Sequence, residues 1–400
     1  MINACFHGIS KINRLNYKGV EDFYYMKENA KKVRKKVLLV ATEPAPGMIP
    51  FATKIIDILQ RNPAFDVFTI TVGFECRFNS EYAVWDKKHM VYIPYPEKKY
   101  LRLLYKFWPR KVIKNIQSMH YEQNFEIVHF LTGDFSMALY MLSHADDKRF
   151  FYTVHDLIPH ERVFHLNRYF IFKYIDWGNR IMRKMIPNLV TSSKEQVEIL
   201  KKLYPGKKIH FAHFPSLVTK TMKTGTEKVE ELEGKQSYIL FFGTVNHYKG
   251  VDLLIDAFRN SCVYQRTYLV IAGRGEFGVI DDERIIRINR FVKDEEIKSL
   301  FVNSCFVVYP YRSVTMSGVL SIAFYFRKIV VLSDLPFFKS YNNDNTFFFK
   351  NNDVEDLCNK MEQVYINRDL TVSLDTYSYS YSDKLLENDY SQIYTKHFAL

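Results

Sequence analysis

Three cations stand just beyond apolar runs in the second half of the chain. Lys249 follows FFG in FFGTVNHYKG, Arg274 follows VIAG in VIAGRGEF, and Arg312 follows CFVVYP in CFVVYPYRS. If those runs are neighbouring strands, the three side chains collect at one sheet edge. Thr315, Ser317 and Gly318 then precede an apolar-periodic segment at 319–326, which puts a helix start with unpaired N–H groups and a positive dipole end beside them. Such a set attracts an anion, phosphate above all. Gly243 lets the backbone turn sharply at its strand end, and Lys249 can reach out as a mobile cation. Taken singly, Lys249 and Arg274 also fit ordinary exposed loop residues; the convergence is the stronger signal. No G-x-G-x-x-G opens the helix after VIAGRGEF, so the pattern is not a dinucleotide fingerprint.

The first half offers YTVHDLIPHE, with His155, Asp156, His160 and Glu161 close together after a strand-like run. Imidazoles and carboxylates ligate metals, but this spacing matches no established site, and no metal is expected. At a strand end His155 can instead hydrogen-bond a substrate hydroxyl or carry a proton.

These groups need strands and helices to hold them. Strand-like runs fall at 37–41, 66–72, 89–93, 126–131, 149–156, 188–192 and 209–214, with a helical pattern at 51–59 and others between most of the runs. A second alternation places strands at 237–243, 267–273, 284–288, 305–310, 328–334 and 345–349, and helices at 251–259, 294–301, 319–326 and 354–364. Short apolar runs separated by amphipathic helices predict parallel sheets covered on both faces. The expected plan is α/β, with two doubly wound Rossmann-like domains facing a central crevice. Its segments are a basic lead (1–36), a first domain (37–215), a linker or exposed crossing (216–236), a second domain (237–370) and a C-terminal helix (371–400) that could pack back on the first domain.

The 400 residues are 47% hydrophobic, enough to fill two cores, and carry a net charge of +12. Residues 1–210 hold 34 Lys+Arg against 20 Asp+Glu, while 211–400 hold 22 against 24, so the excess belongs to the first half. That imbalance points to a polyanionic neighbour. Lys98, Arg102, Lys106, Arg110 and Lys114 recur every four residues opposite Leu101, Leu104, Tyr105, Trp108 and Val112. A helix over 98–116 could lie on an anionic membrane surface or pack its apolar side inward, and Pro109 argues against one straight helix. Nucleic acid is not the expected partner, because no zinc-finger or ribonucleoprotein signature is present. Five scattered cysteines form no C-x-x-C pair, and no run reaches the length of a membrane span. The expectation is a cytoplasmic chain, peripheral at the inner face of the plasma membrane.

FFGTVNHYKGVDLLIDAF, VIAGRGEF, FVKDEEIKSLFVNSCFVVYPYRS and SGVLSIAFYFRKIVVLSD, in that order, resemble the C-terminal domain of the retaining GT-B glycosyltransferases. PGMIPFATKIIDIL and TVHD are similar to the glycine loop and crevice histidine of that family's N-terminal domain. The resemblance implies a glycosyltransferase with a nucleotide-sugar donor, a lipid-linked or glycan acceptor in surface-polysaccharide biosynthesis, and no cofactor. By position, Lys249 would neutralise the diphosphate, the amides near Ser317 and Gly318 would cap it, His155 would face the donor sugar, and Gly47 would let its loop approach the reacting centre. Gly243, Arg274 and Arg312 complete the expected substrate-binding set. Two departures stand out. Thr244 occupies the family's arginine position, and Val314 and Ile322 occupy the positions of its paired glutamates. The loss allows a second implication, a non-catalytic GT-B subunit that binds a protein or glycan.

Overall fold

The computed structural model describes residues 34–45, 47–73, 89–144, 147–157, 169–275, 278, 280–367 and 376–397. Seven strands form the first sheet: β1 (Lys35–Ala41), β2 (Phe65–Val72), β3 (Met90–Ile93), β4 (Ile127–Phe130), β5 (Phe150–Thr153), β6 (Asn188–Thr191) and β7 (Lys208–Phe211). They lie in the order β3-β2-β1-β4-β5-β6-β7, every pair parallel. The continuous apolar run of β1 reflects burial on both faces. Val37, Leu39 and Ala41 meet α1 (Met48–Arg61), whereas Leu38 and Val40 share a core with Val112, Ile113 and Ile116. Helix α1 starts three residues before the expected 51, since Pro50 is tolerated in a first turn.

The basic segment breaks at Pro109 into α2 (Lys99–Phe107) and α3 (Arg110–Gln123). The two helices differ sharply in burial: α3 sinks Val112 and Ile116, but no residue of α2 is buried. Next come α4 (Ala138–Leu142), α5 (Tyr169–Met185) and α6 (Lys194–Leu203).

Residues 216–236 are not an exposed crossing. They form α7 (Lys220–Thr224) and a 3-10 turn (Glu230–Leu232) whose Val218, Met222, Val229 and Leu232 plug into the core of the second domain. Four isolated apolar anchors suffice without any periodicity, and Arg290 clamps Glu231 at 2.8 Å.

The second sheet contains β8 (Tyr238–Phe242), β9 (Leu269–Ala272), β10 (Ile285–Ile288), β11 (Ser304–Tyr309), β12 (Val330–Ser333) and β13 (Thr346–Phe349). Its order, β10-β9-β8-β11-β12-β13, repeats that of the first sheet and is again all parallel. Five helices belong with it: α8 (Val251–Asn260), α9 (Asp294–Val302), α10 (Val319–Tyr325), α11 (Pro336–Lys339) and α12 (Val354–Ile366). After α13 (Thr376–Tyr381), α14 (Asp383–His397) returns to the first domain. There Leu386, Tyr390, Ile393 and Tyr394 enter the α1 core, Tyr394 meets buried His129 at 2.7 Å, and Lys54 pairs with Asp383 at 2.9 Å. Among the described residues no helix is long and apolar enough to cross a membrane.

Candidate functional site

Each sheet reverses its winding once, between β1 and β4 and between β8 and β11. Ligands of open parallel sheets bind outside the strand ends at that reversal. Loops following these four strands and their neighbours β5 and β9 carry the residues of interest.

In the second domain, Gly243 and Gly273 end β8 and β9 with φ of +141° and +145°, a backbone region that L side chains rarely adopt. A Cβ on Gly273 would strike the carbonyl of Gly243, and one on Gly250 would strike that of Pro310. Glycines thus let three loops close backbone to backbone. The result carries Lys249 over the face of Tyr311, its Nζ 3.7 Å from the ring centroid and 5.0 Å from that of Tyr248. Burial pushes the Lys249 pKa down to about 7, opposed by the field of Asp156 from the first domain. This lysine is therefore a cation held against two aromatic faces, paired with no carboxylate among the described residues.

The other two cations do not join it. Arg312 spends its fork on Asp252, at 2.6 and 2.7 Å, and on the carbonyl of His247 at 2.8 Å. That pairing holds the Asp252 carboxyl below its ordinary range and pins the lysine loop from behind. Arg274 is exposed at the end of β9, where its carbonyl accepts from Val245 N–H at 3.0 Å. Of the three expected cations, Arg312 is thus spent on Asp252 in the first turn of α8 and Arg274 is exposed, which leaves Lys249 as the one held against aromatic faces.

Gly318 caps α10, as the sequence placed it, and Ser317 is buried before it. Leu217 and Phe214, arriving from the first domain, cover the side of Gly318 where a Cβ would stand. Ser321 fastens the contact: its hydroxyl donates to the Gly318 carbonyl at 2.6 Å and accepts the Leu217 N–H at 3.1 Å. Ile322 is sealed in the core and Val314 packs against it, so neither position supplies a polar group.

The first domain provides the facing wall. His155 is buried, its ring 4.6 Å from that of Phe51 and edge-on to it. Nε2 lies 2.8 Å from the carbonyl oxygen of Leu131, which can only accept, so Nε2 carries the proton and Nδ1 is left as an acceptor. Desolvation pushes its pKa down, keeping the ring neutral. His160 and Glu161 lie outside the described residues; among those described, no group of three His, Cys, Asp or Glu could hold a metal. Gly47 caps α1 at an ordinary φ of −82°, with no protein atom within 4 Å of a would-be Cβ.

Sequence reasoning missed the pocket beside His155. It measures about 390 Å³ and is lined by Glu43, Gly133, Tyr152, Asp156, Asn179 and Arg183 among others. Glu43 follows β1, and a side chain at Gly133 would collide with its carboxylate. Asp134 stabilises the same corner: in a left-handed turn it accepts from Thr42 N–H at 2.7 Å, the Thr42 hydroxyl at 2.6 Å and the Thr132 N–H at 2.7 Å. The T-G-D run after an apolar strand was a usable signal for that clamp. Arg183, outside every motif singled out in the sequence, gave none. A larger cleft of about 830 Å³ near Ser193, Phe214, Phe337 and Tyr341 is lined by none of the residues singled out in the sequence.

Residues 223–381 match the sequence family described as glycosyl transferases group 1. No curated protein sequence matches the chain. Solved structures do: Anabaena HepE in complex with UDP at 13% identity and TM-score 0.62, covering 90% of this chain and 100% of that one. Sucrose-phosphate synthase from Thermosynechococcus elongatus is similar at 12% identity and TM-score 0.65, covering 92% and 100%. WaaG, a glycosyltransferase involved in lipopolysaccharide biosynthesis, gives 14% identity and TM-score 0.58, covering 91% and 100%. The chain therefore carries a glycosyl transferases group 1 domain and has the two-domain GT-B fold of the glycosyltransferases it resembles.

Proposed function

We propose that the protein moves a sugar from a nucleotide-sugar to a lipid-linked or oligosaccharide acceptor in surface-polysaccharide assembly. The observation that carries this reading is Lys249: a half-buried ammonium on the face of Tyr311 with no carboxylate partner among the described residues, at the strand-end reversal of one domain and within the field of Asp156 from the other. A nucleoside diphosphate would supply the missing counter-charge. As the bond from the sugar's anomeric carbon to the phosphate oxygen breaks, negative charge grows on the departing diphosphate, and Lys249 stabilises it. An acceptor hydroxyl forms the new bond on the same face and gives its proton to that departing oxygen, so configuration is retained and no protein nucleophile is required. His155, donating through Nε2 to Leu131, offers Nδ1 to a donor hydroxyl and orients the sugar.

Membrane contact through residues 98–116 belongs to the same reading. Tyr100, Leu104 and Trp108 are exposed by 59%, 61% and 47%, beside Lys98, Arg102 and Lys106. Apolar side chains flanked by cations suit an anionic bilayer surface, where a lipid-linked acceptor would be presented. Flotation with anionic liposomes should weaken when Arg102, Lys106 and Arg110 become Glu; unchanged flotation would remove this helix as the anchor.

The specific case for a non-catalytic GT-B subunit is Ile322, sealed in the core where the family carries an acid. Incubation with UDP-, GDP- and CMP-sugars separates the readings. Donor hydrolysis or transfer that is lost in Lys249→Ala supports the enzyme; binding without turnover supports the subunit. If no nucleotide-sugar at millimolar concentration shifts the melting temperature, the enzymatic reading fails.

A further inference from the structure

The pocket beside His155 contains a guanidinium that no described side chain pairs directly. Arg183 is 9% exposed, and its buried Nε has no hydrogen-bond partner. Among the described residues none of its nitrogens makes a hydrogen bond or ion pair, although Glu43, Asp156 and Asp176 line the same pocket. A buried guanidinium nitrogen without a partner is costly, and a fold does not usually leave one so; Nε is the sealed atom here.

Its position is built rather than accidental. Gly178 allows α5 to press against the Phe135 carbonyl, where any side chain would clash. That contact brings Asp176, Asn179, Arg180 and Arg183, which recur over two turns of the helix, onto the face over the pocket. The Tyr152 hydroxyl donates to the carbonyl of Gly133 at 2.8 Å and makes no hydrogen bond with Arg183. Asp156, on the same pocket wall, is felt electrostatically by both Lys249 and Tyr248. The guanidinium thus faces a cavity that opens beside the proposed diphosphate position.

We infer that the first-domain pocket takes an acceptor bearing an anionic group, carboxylate or phosphate, which Arg183 binds as a planar fork. The inference rests on reading this pocket as the acceptor's. A neutral sugar would hydrogen-bond the guanidinium without cancelling its charge, whereas a carboxylate or phosphate does both. Glu43 and Asp156 would then meet the acceptor's hydroxyls rather than its charge.

The test uses the full chain saturated with UDP and three probes: glucose, glucuronate and glucose 6-phosphate, each titrated by calorimetry or ligand-observed NMR. Both charged probes should bind about tenfold or more tighter than glucose, the size expected for one charge-assisted hydrogen-bonded contact. Arg183→Met should abolish the difference while leaving UDP affinity unchanged, which also certifies that the variant is folded. Arg183→Lys should keep part of it, since charge remains but the fork is lost. Preference for only one charged probe identifies the anion as carboxylate or phosphate. Equal binding of glucose and both anions, or anion binding that survives Arg183→Met, would overturn the inference. Failure of UDP to bind the unaltered protein would instead count against the donor reading.

Discussion

Donor binding should take up a proton, and Lys249 sets how much. In the free protein burial holds this lysine near a pKa of about 7. The dianionic diphosphate of a nucleotide-sugar, placed against Nζ, would restore it toward the ordinary lysine value of about 10.4. The sign follows directly: the pKa is higher in the complex, so binding is strongest below the free value and weakens as pH rises through it. With those values about 0.1 proton is taken up per donor at pH 6, about 0.5 at pH 7 and about 0.9 at pH 8. Affinity should fall about fivefold from pH 7 to 8 and then close to tenfold per unit. UDP-glucose suits the measurement because its diphosphate has no proton of its own to titrate in this range. Calorimetry in buffers of different ionisation enthalpy gives the proton count. Lys249→Arg, permanently charged, should bind with no uptake and no pH dependence. Tight binding by the unaltered protein with zero uptake at both pH 7 and pH 8 would refute the placement of the phosphate on Lys249.

Other consequences can be checked on the unliganded protein. Because Lys249 titrates lower folded than unfolded, it opposes folding at neutral pH, and Lys249→Met should raise the melting temperature by a few degrees even as donor binding is lost. Gly273→Ala should cost about 2–4 kcal/mol in urea unfolding, from positive φ and collision with Gly243, whereas Gly47→Ala should change stability by less than about 1 kcal/mol. Buried His129 is held near a pKa of about 3 by desolvation, below its unfolded value, so it contributes nothing above about pH 6.5 and destabilises by about 1.4 kcal/mol per pH unit below it. His129→Gln should flatten the stability profile between pH 6 and pH 4.

Much of this architecture was legible because parallel strands buried on both faces read as unbroken apolar runs. Val37–Ala41 and Phe306–Tyr309 are examples, and Gly243 marked a strand-end turn that its positive φ does require. What escaped were pairings between residues distant in sequence. Arg312 looked free until α8 brought Asp252 to it, sixty positions away. The 216–236 segment looked exposed because its anchors Val218, Met222, Val229 and Leu232 follow no period. Arg183 carries no motif, and only the close approach of α5 at Gly178 explains its burial. Local pattern reports which face of an element is buried; it does not report which partner captures a charge.

A structure of the protein with a nucleotide-sugar bound tests the central claim most directly. The account predicts the diphosphate within hydrogen-bonding distance of Lys249 Nζ, between the loops that follow β8 and β11, with the sugar turned toward His155. A diphosphate seated elsewhere, with Lys249 still resting on Tyr311 and unpaired, would contradict it.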